Sequence, residues 1–144
     1  MKTIMLSFLL MTINGVTWLN NFDEAKAIAT RDNKFILLNF SGSDWCGPCI
    51  MMKKEAFEGE AFLSVAGEKL VLLRADFPRS KKNKLPAELV KHNEKLAEKY
   101  NPFGKFPYTL LLDAKGNVIK EWDGYVPSSQ GKFIKELIDK IEVK

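Results

Sequence analysis

The residues best equipped for chemistry are Trp45-Cys46-Gly47-Pro48-Cys49, which include both cysteines of the chain. A thiol is a weak nucleophile until it ionises, and the unpaired N–H groups and positive dipole end at a helix start favour the thiolate. Apolar residues from Cys46 to Phe57 recur at helical spacing after the turn residues Ser41-Gly-Ser-Asp44, so Cys46 falls at a first turn. Two intervening residues put Cys49 about one turn further in, deeper in the fold and within reach of a small disulfide ring. Gly47 leaves room for a partner chain, and Pro48 fixes φ where a missing N–H costs nothing. Such a pair can carry thiol–disulfide exchange, in which Cys46 attacks a substrate disulfide and Cys49 then attacks Cys46 to release the reduced product. A purely structural disulfide is the plainer alternative, although so short a loop removes little entropy from the unfolded chain. A zinc or copper site needs more ligands than two thiolates. His92, the only histidine, reads as an ordinary residue on a polar helix face, and Met51-Met52 as core filling, so no metal site is expected.

The elements that must hold this pair alternate between strand and helix. Asn21-Phe-Asp-Glu24 is a capping box, and Phe22, Ala25, Ile28 and Ala29 share one face of a helix running to Arg31. After the break at Asp32-Asn33, Phe35 to Phe40 is a continuous apolar run, the pattern of a strand covered on both faces. Leu70 to Asp76 is a second buried strand, parallel to the first if the intervening segment crosses over. Phe77 to Leu85 is polar and basic and predicts a solvated loop, after which a helix turns Leu89, Leu96, Ala97 and Tyr100 inward. Tyr108 to Asp113 is a third strand, Ala114 to Asn117 a hairpin turn, and Val118 to Trp122 its antiparallel partner. Ser128 or Ser129 caps a last helix with the apolar stripe Phe133, Ile134, Leu137, Ile138 and Ile141. The expectation is an α/β domain over residues 18–144, with a central mixed sheet of about four to five strands and helices on both faces. Trp18 and Trp122 read as partly buried packing residues, whereas Trp45, next to Cys46, reads as part of a substrate surface.

Composition sets the outer limits. A chain of 144 residues and 16.4 kDa, with 46% apolar and 28% charged residues, is one globular domain rather than a disordered segment or a rod. No apolar run approaches the roughly 20 residues of a membrane-spanning helix, and two cysteines are too few for a disulfide-stapled mini-protein. Net charge is only +4, but seven Lys or Arg against three Glu lie between Arg79 and Lys99. That stretch reads as a solvated loop and helix face, with a docking surface for an acidic partner as the alternative. Nucleic-acid binding is not expected, because no aromatics interleave the cations and no recognition motif occurs elsewhere. Lys2, the run Ile4 to Met11, and Thr12, Asn14 and Gly15 together read as a secretory signal peptide over residues 1–17. A periplasmic or secreted protein follows; a buried N-terminal strand and a short uncleaved anchor are the alternatives.

The Trp-Cys-Gly-Pro-Cys string after a buried strand resembles thioredoxin. The resemblance runs from about Trp18 to Val143: Phe106-Pro107-Tyr-Thr-Leu-Leu-Leu-Asp113 is similar to the family's cis-proline and following strand, Gly116 to its hairpin, and Gly124 to the glycine flanking its substrate groove. With Ser41-Gly-Ser-Asp-Trp-Cys46, Asp76-Phe-Pro-Arg79, the signal-like segment and the basic insert, the chain is similar to exported thioredoxin-like proteins of Gram-negative bacteria. The resemblance implies a thioredoxin fold, with Cys46 as nucleophile and Cys49 as resolving cysteine in one redox-active disulfide, supported by Trp45, Gly47, Pro48 and Pro107. It implies a substrate groove at Trp45, Phe106, Pro107 and Gly124, with Phe106 offering backbone hydrogen bonds to an extended substrate strand. It further implies a monomer that reduces protein or peptide disulfides without an organic cofactor. An upstream electron donor, such as a membrane thiol–disulfide protein, would recharge it. Gly47-Pro48 is the dipeptide of the reducing members; a disulfide oxidase or isomerase and a non-catalytic partner-binding module are the alternatives. One departure stands out. Asn39 occupies the place of the family's buried aspartate, and an amide cannot take up a proton at neutral pH, so Asp44 or water must substitute or resolution is slower.

Overall fold

The computed structural model describes residues 16–143; residues 1–15, which hold most of the predicted signal segment, lie outside the described part. Along the chain the elements are β1 (Trp18–Leu19), α1 (Phe22–Asp32), β2 (Phe35–Ser41), α2 (Gly47–Met52), α3 (Glu60–Lys69), β3 (Leu70–Asp76), α4 (Ala87–Tyr100), β4 (Tyr108–Leu112), β5 (Val118–Asp123) and α5 (Gln130–Glu142). A π-helical turn, Lys53–Phe57, follows α2, and a single 3-10 turn, Lys81–Asn83, lies between β3 and α4.

The strands form one mixed sheet in the order β1-β3-β2-β4-β5. All seven residues of β2 are buried, as its unbroken apolar run predicts, and it pairs parallel with β3 and antiparallel with β4. Alternation along β2 feeds two apolar clusters. Ile36, Leu38 and Phe40 pack with Ala25 and Ala29 of α1 and Leu96 and Tyr100 of α4, whereas Phe35 and Leu37 pack with Met52, Phe57, Phe62, Phe133 and Leu137 on the other face. This is the expected α/β arrangement with helices on both sides.

Several details depart from the sequence reading. Strand β1 has only two residues and escapes a periodicity test, and α3 buries only Phe62 and Ala66, too few to mark a helical face. The pair Met51-Met52 splits, with Met52 buried and Met51 37% exposed. Ser129 is the N-cap of α5 without a capping bond, its hydroxyl donating instead to Val126 O. His92 is no ordinary surface residue: Asn21 Oδ1 accepts from Glu24 N as the capping box requires, and His92 Nε2 accepts from Phe22 N at 3.0 Å, satisfying a second free N–H at the start of α1.

The hairpin between β4 and β5 turns at Gly116, with φ +91°, where a Cβ would lie 2.8 Å from the Tyr100 hydroxyl. That hydroxyl donates to Gly116 O at 2.7 Å, tying α4 to the hairpin. Gly116→Ala combines positive-φ strain with a displaced tyrosine and is expected to lower stability by about 1–3 kcal/mol. Urea unfolding checks this; a change under about 0.5 kcal/mol would mean that the turn relaxes freely.

Candidate active site at the start of the second helix

Beyond Ser41 the chain turns at once. Gly42 O accepts from Trp45 N at 3.2 Å and from Cys46 N at 2.9 Å, which closes the turn and aims the chain into α2. A Cβ on Gly42 would fall within the Trp45 indole, so the turn is built around that ring. Cys46 is the N-cap of α2, with an extended backbone at φ −91°, and its Sγ accepts from Cys49 N at 3.2 Å. Pro48 occupies the first turn, as expected. The two cysteines form a disulfide, with Cα atoms 5.2 Å apart.

Cys46 and Cys49 are equally enclosed, 5% and 4% exposed, so the expected difference in depth does not appear in accessibility. It appears in surroundings. Cys49, unlike Cys46, lines a cavity of about 180 Å³ together with Ser41, Ser43, Lys53, Glu58 and Arg74. Arg74 of β3 stacks its guanidinium on Trp18 at 4.0 Å, and its buried Nε has no hydrogen-bond partner among the described residues. Burial lowers its pKa, against the opposing charges of Asp76 and Glu58. Sequence reading passed over Arg74; the available signal is one cation inside the apolar run Leu70 to Ala75.

Asn39 is 2% exposed and neighbours Arg74 in the β2–β3 register. Its Nδ2 donates to Thr109 Oγ1 at 3.1 Å, and that hydroxyl donates to Met52 Sδ at 3.8 Å. None of these groups accepts a proton at neutral pH. Asp44 is committed elsewhere: its carboxylate accepts from Arg79 N, Ser80 N and Asn83 Nδ2, all at 2.9–3.0 Å. These bonds, that from Arg79 N first, hold its carboxyl below the usual range, the opposite of what a proton acceptor needs.

Asp44 therefore pins the segment from Phe77 to Leu85, which is solvated as expected but also ordered. Asp76 anchors it from the other side, accepting from Ser43 N and Phe77 N, while Asn93 Nδ2 donates to Asp76 O. The result is a ledge beside the cysteines. Trp45 Nε1 donates to Phe77 O at 2.7 Å, Trp45 and Phe77 each pack edge-on against Phe106, and Arg79 lies 3.7 Å over the Trp45 ring. The Phe106–Pro107 bond is cis, and Pro107 O accepts from Gly124 N at 2.9 Å, with Gly124 at φ +78°. Trp45 and Phe106 thus meet through their rings, and Pro107 and Gly124 through the backbone. Gly124 also lines a cleft of about 360 Å³ with Met52, Trp122 and Tyr125, to which neither cysteine contributes.

Asp44→Ala removes one acceptor from three donors and is expected to speed tryptic cleavage after Lys81 and Lys82 by about tenfold under native conditions. The depressed pKa gives the sign with pH: the ordering is complete above the ordinary carboxylate value and is lost as pH falls through the lower folded value. Equal cleavage of the two proteins would show that other contacts hold the loop.

Comparison with known proteins agrees with this geometry. A thioredoxin-like family model matches residues 17–114. The chain is 30% identical over 124 residues to the disulfide bond reductase DsbH of Chlamydia pneumoniae, covering 86% of this chain and 72% of the relative. A solved structure titled DsbH oxidoreductase superposes with a TM-score of 0.80 at 25% identity, covering 100% of this chain and 96% of that one. A thioredoxin from Thermus thermophilus superposes at 0.63 with 17% identity, covering 87% of this chain and 86% of that one, a likeness of fold. With the family pattern spanning most of the chain and the cysteine pair at the strand-to-helix junction, the chain belongs to the thioredoxin-like family.

Proposed function

We propose that this protein is a thiol–disulfide oxidoreductase that works as a reductase of protein or peptide disulfides. The observation that carries the reading is the Cys46–Cys49 disulfide at the first turn of α2, where Cys46 Sγ already accepts the Cys49 N–H. The same donor, with the free N–H groups of the helix start, lowers the cost of negative charge on Cys46 once the bond is reduced. The Cys46 thiolate attacks one sulfur of a substrate disulfide, forming a Cys46–substrate bond and expelling the other sulfur as a thiolate. Cys49, after losing its proton, attacks Cys46, restoring the enzyme disulfide and releasing the second substrate thiol. Two electrons pass to the substrate, and a donor dithiol must return them; no organic cofactor is needed.

Trp45, Gly47, Pro48 and Pro107 support the pair in this reading, and Trp45, Phe106, Pro107 and Gly124 bind the substrate. Phe106 lies just outside β4, where the ladder to β2 ends at Tyr108, a position that suits pairing with an extended substrate strand. Residues 1–17 act as a signal peptide, which puts the domain of residues 18–144 and its reaction in the periplasm or outside the cell. The donor is then a membrane thiol–disulfide protein, and the enzyme acts as a monomer.

Reduction is the direction favoured by Gly47-Pro48 and by the likeness to DsbH, which is named a disulfide bond reductase. Equilibration against defined thiol–disulfide buffers is expected to give a potential near −270 mV; a value above about −180 mV would make the protein an oxidant or isomerase. Cys46→Ser should abolish turnover of a disulfide peptide, and Cys49→Ser should accumulate the mixed disulfide, visible by mass. Asn39→Asp places a carboxylate beside Arg74 and within the core that backs α2. Its expected effect is a several-fold faster release of the mixed disulfide at neutral pH, read by stopped-flow fluorescence. An unchanged rate would show that water already serves as the base.

A further inference from the structure

We propose that the pinned loop beside the disulfide is a docking surface for acidic polypeptide substrates. This rests on the reductase reading and names the substrate class it takes. Arg79, Lys81, Lys82 and Lys84 fall within six residues, and none of them enters an ion pair among the described residues. Asp44, the nearest carboxylate in the loop's own bonding, spends its oxygens on the backbone and Asn83, so it neutralises none of the exposed Lys81, Lys82 and Lys84, while Arg79 lies over the Trp45 ring.

Behind these cations is a cleft of about 250 Å³ with an apolar floor of Phe77, Pro78, Leu85 and Val90, rimmed by Arg79, Lys81 and Lys84. One carboxylate, Asp76, lines it and is held by Ser43 and Phe77. The chemistry fits a peptide that seats one apolar side chain and carries Asp or Glu on either side. Because the loop is already ordered by Asp44 and Asn93, binding need not freeze it. The surface is continuous with the redox pair: Arg79 covers the Trp45 ring, and Trp45 directly precedes Cys46. A polyanionic nucleic acid is a poorer fit, since Trp45 is capped by Arg79 and no aromatic residue lies between Arg79 and Lys84 for bases to stack on.

The test uses two synthetic peptide designs, each with one disulfide and one leucine, flanked by glutamates or by serines, and a third in which serines replace the cysteines of the acidic design. With a donor dithiol present to re-reduce Cys46 and Cys49, the protein is expected to turn over the acidic peptide with a kcat/KM about tenfold higher than the neutral one at low salt, the preference shrinking toward unity in 0.5 M NaCl. In Lys81→Glu/Lys82→Glu/Lys84→Glu the ratio should fall to one or below. Equal kcat/KM for both peptides with the unaltered protein would overturn the proposal. Fluorescence anisotropy with the cysteine-free acidic peptide reads the surface without chemistry. Binding by the oxidised protein that the triple variant loses supports the docking surface even if no peptide is reduced, in which case only the reductase reading fails. No salt-sensitive binding, or displacement of the peptide by a single-stranded oligonucleotide more readily than by polyglutamate, would also overturn it.

Discussion

Because both faces of β2 are covered, its residues cannot slip against β3 and β4 without forcing each leucine and phenylalanine out of its own close-packed cluster and into the one on the opposite face. A one-residue slip would turn every side chain to the opposite face, so burial on both sides locks the register. Ser41 therefore delivers the chain to Gly42 at a defined point, and the turn built on the Trp45 ring sets the first turn of α2. The cysteine pair inherits its position from this sequence of constraints. Stability and chemistry are joined there, since the strand that anchors the sheet also aims the disulfide.

Legibility in the sequence followed the range of the interactions. The strands β2 to β5, the hairpin, the last helix and the cysteine junction rest on local signals: apolar runs, a glycine turn, and a proline beside a cysteine. The pinned loop did not announce itself, because its order comes from a carboxylate 35 residues upstream, and polarity alone looks like solvation. The role of His92 is likewise invisible to local pattern, its partner being an N–H 70 residues away. Arg74 was hidden by its neighbours, since a run of buried residues invites attention to the pattern and away from the exception.

The charges around the site divide between two faces. On the inner face, Lys53, Lys54 and Arg74 line the cavity beside Cys49 against the single acid Glu58, so the cavity is cationic. On the outer face, Asp44 and Asp76 are turned toward backbone N–H groups and serve architecture. The one carboxylate lining the Cys49 cavity, Glu58, is exposed and pairs with Lys53 at 3.8 Å, which separates this site from one organised around a buried acid. Proton handling and loop architecture, which share one residue type, are here kept apart.

The two borders of the sheet are blunted by different means. On one side β1 is only two residues long; on the other β5 carries Lys120, Glu121 and Asp123, is offset by a bulge at Leu111/Leu112, and is braced by an ion pair from Lys105 to Asp123 at 2.8 Å. Short, bulged and charged edges are poor templates on which a foreign strand can grow an intermolecular sheet. Under the proposed function, which brings the protein against extended chains, an open edge would risk nucleating their aggregation. The proposed function then leaves the loop end of the sheet, where the Cys46–Cys49 disulfide sits, as the place for pairing, with each encounter ending when a sulfur–sulfur bond is exchanged.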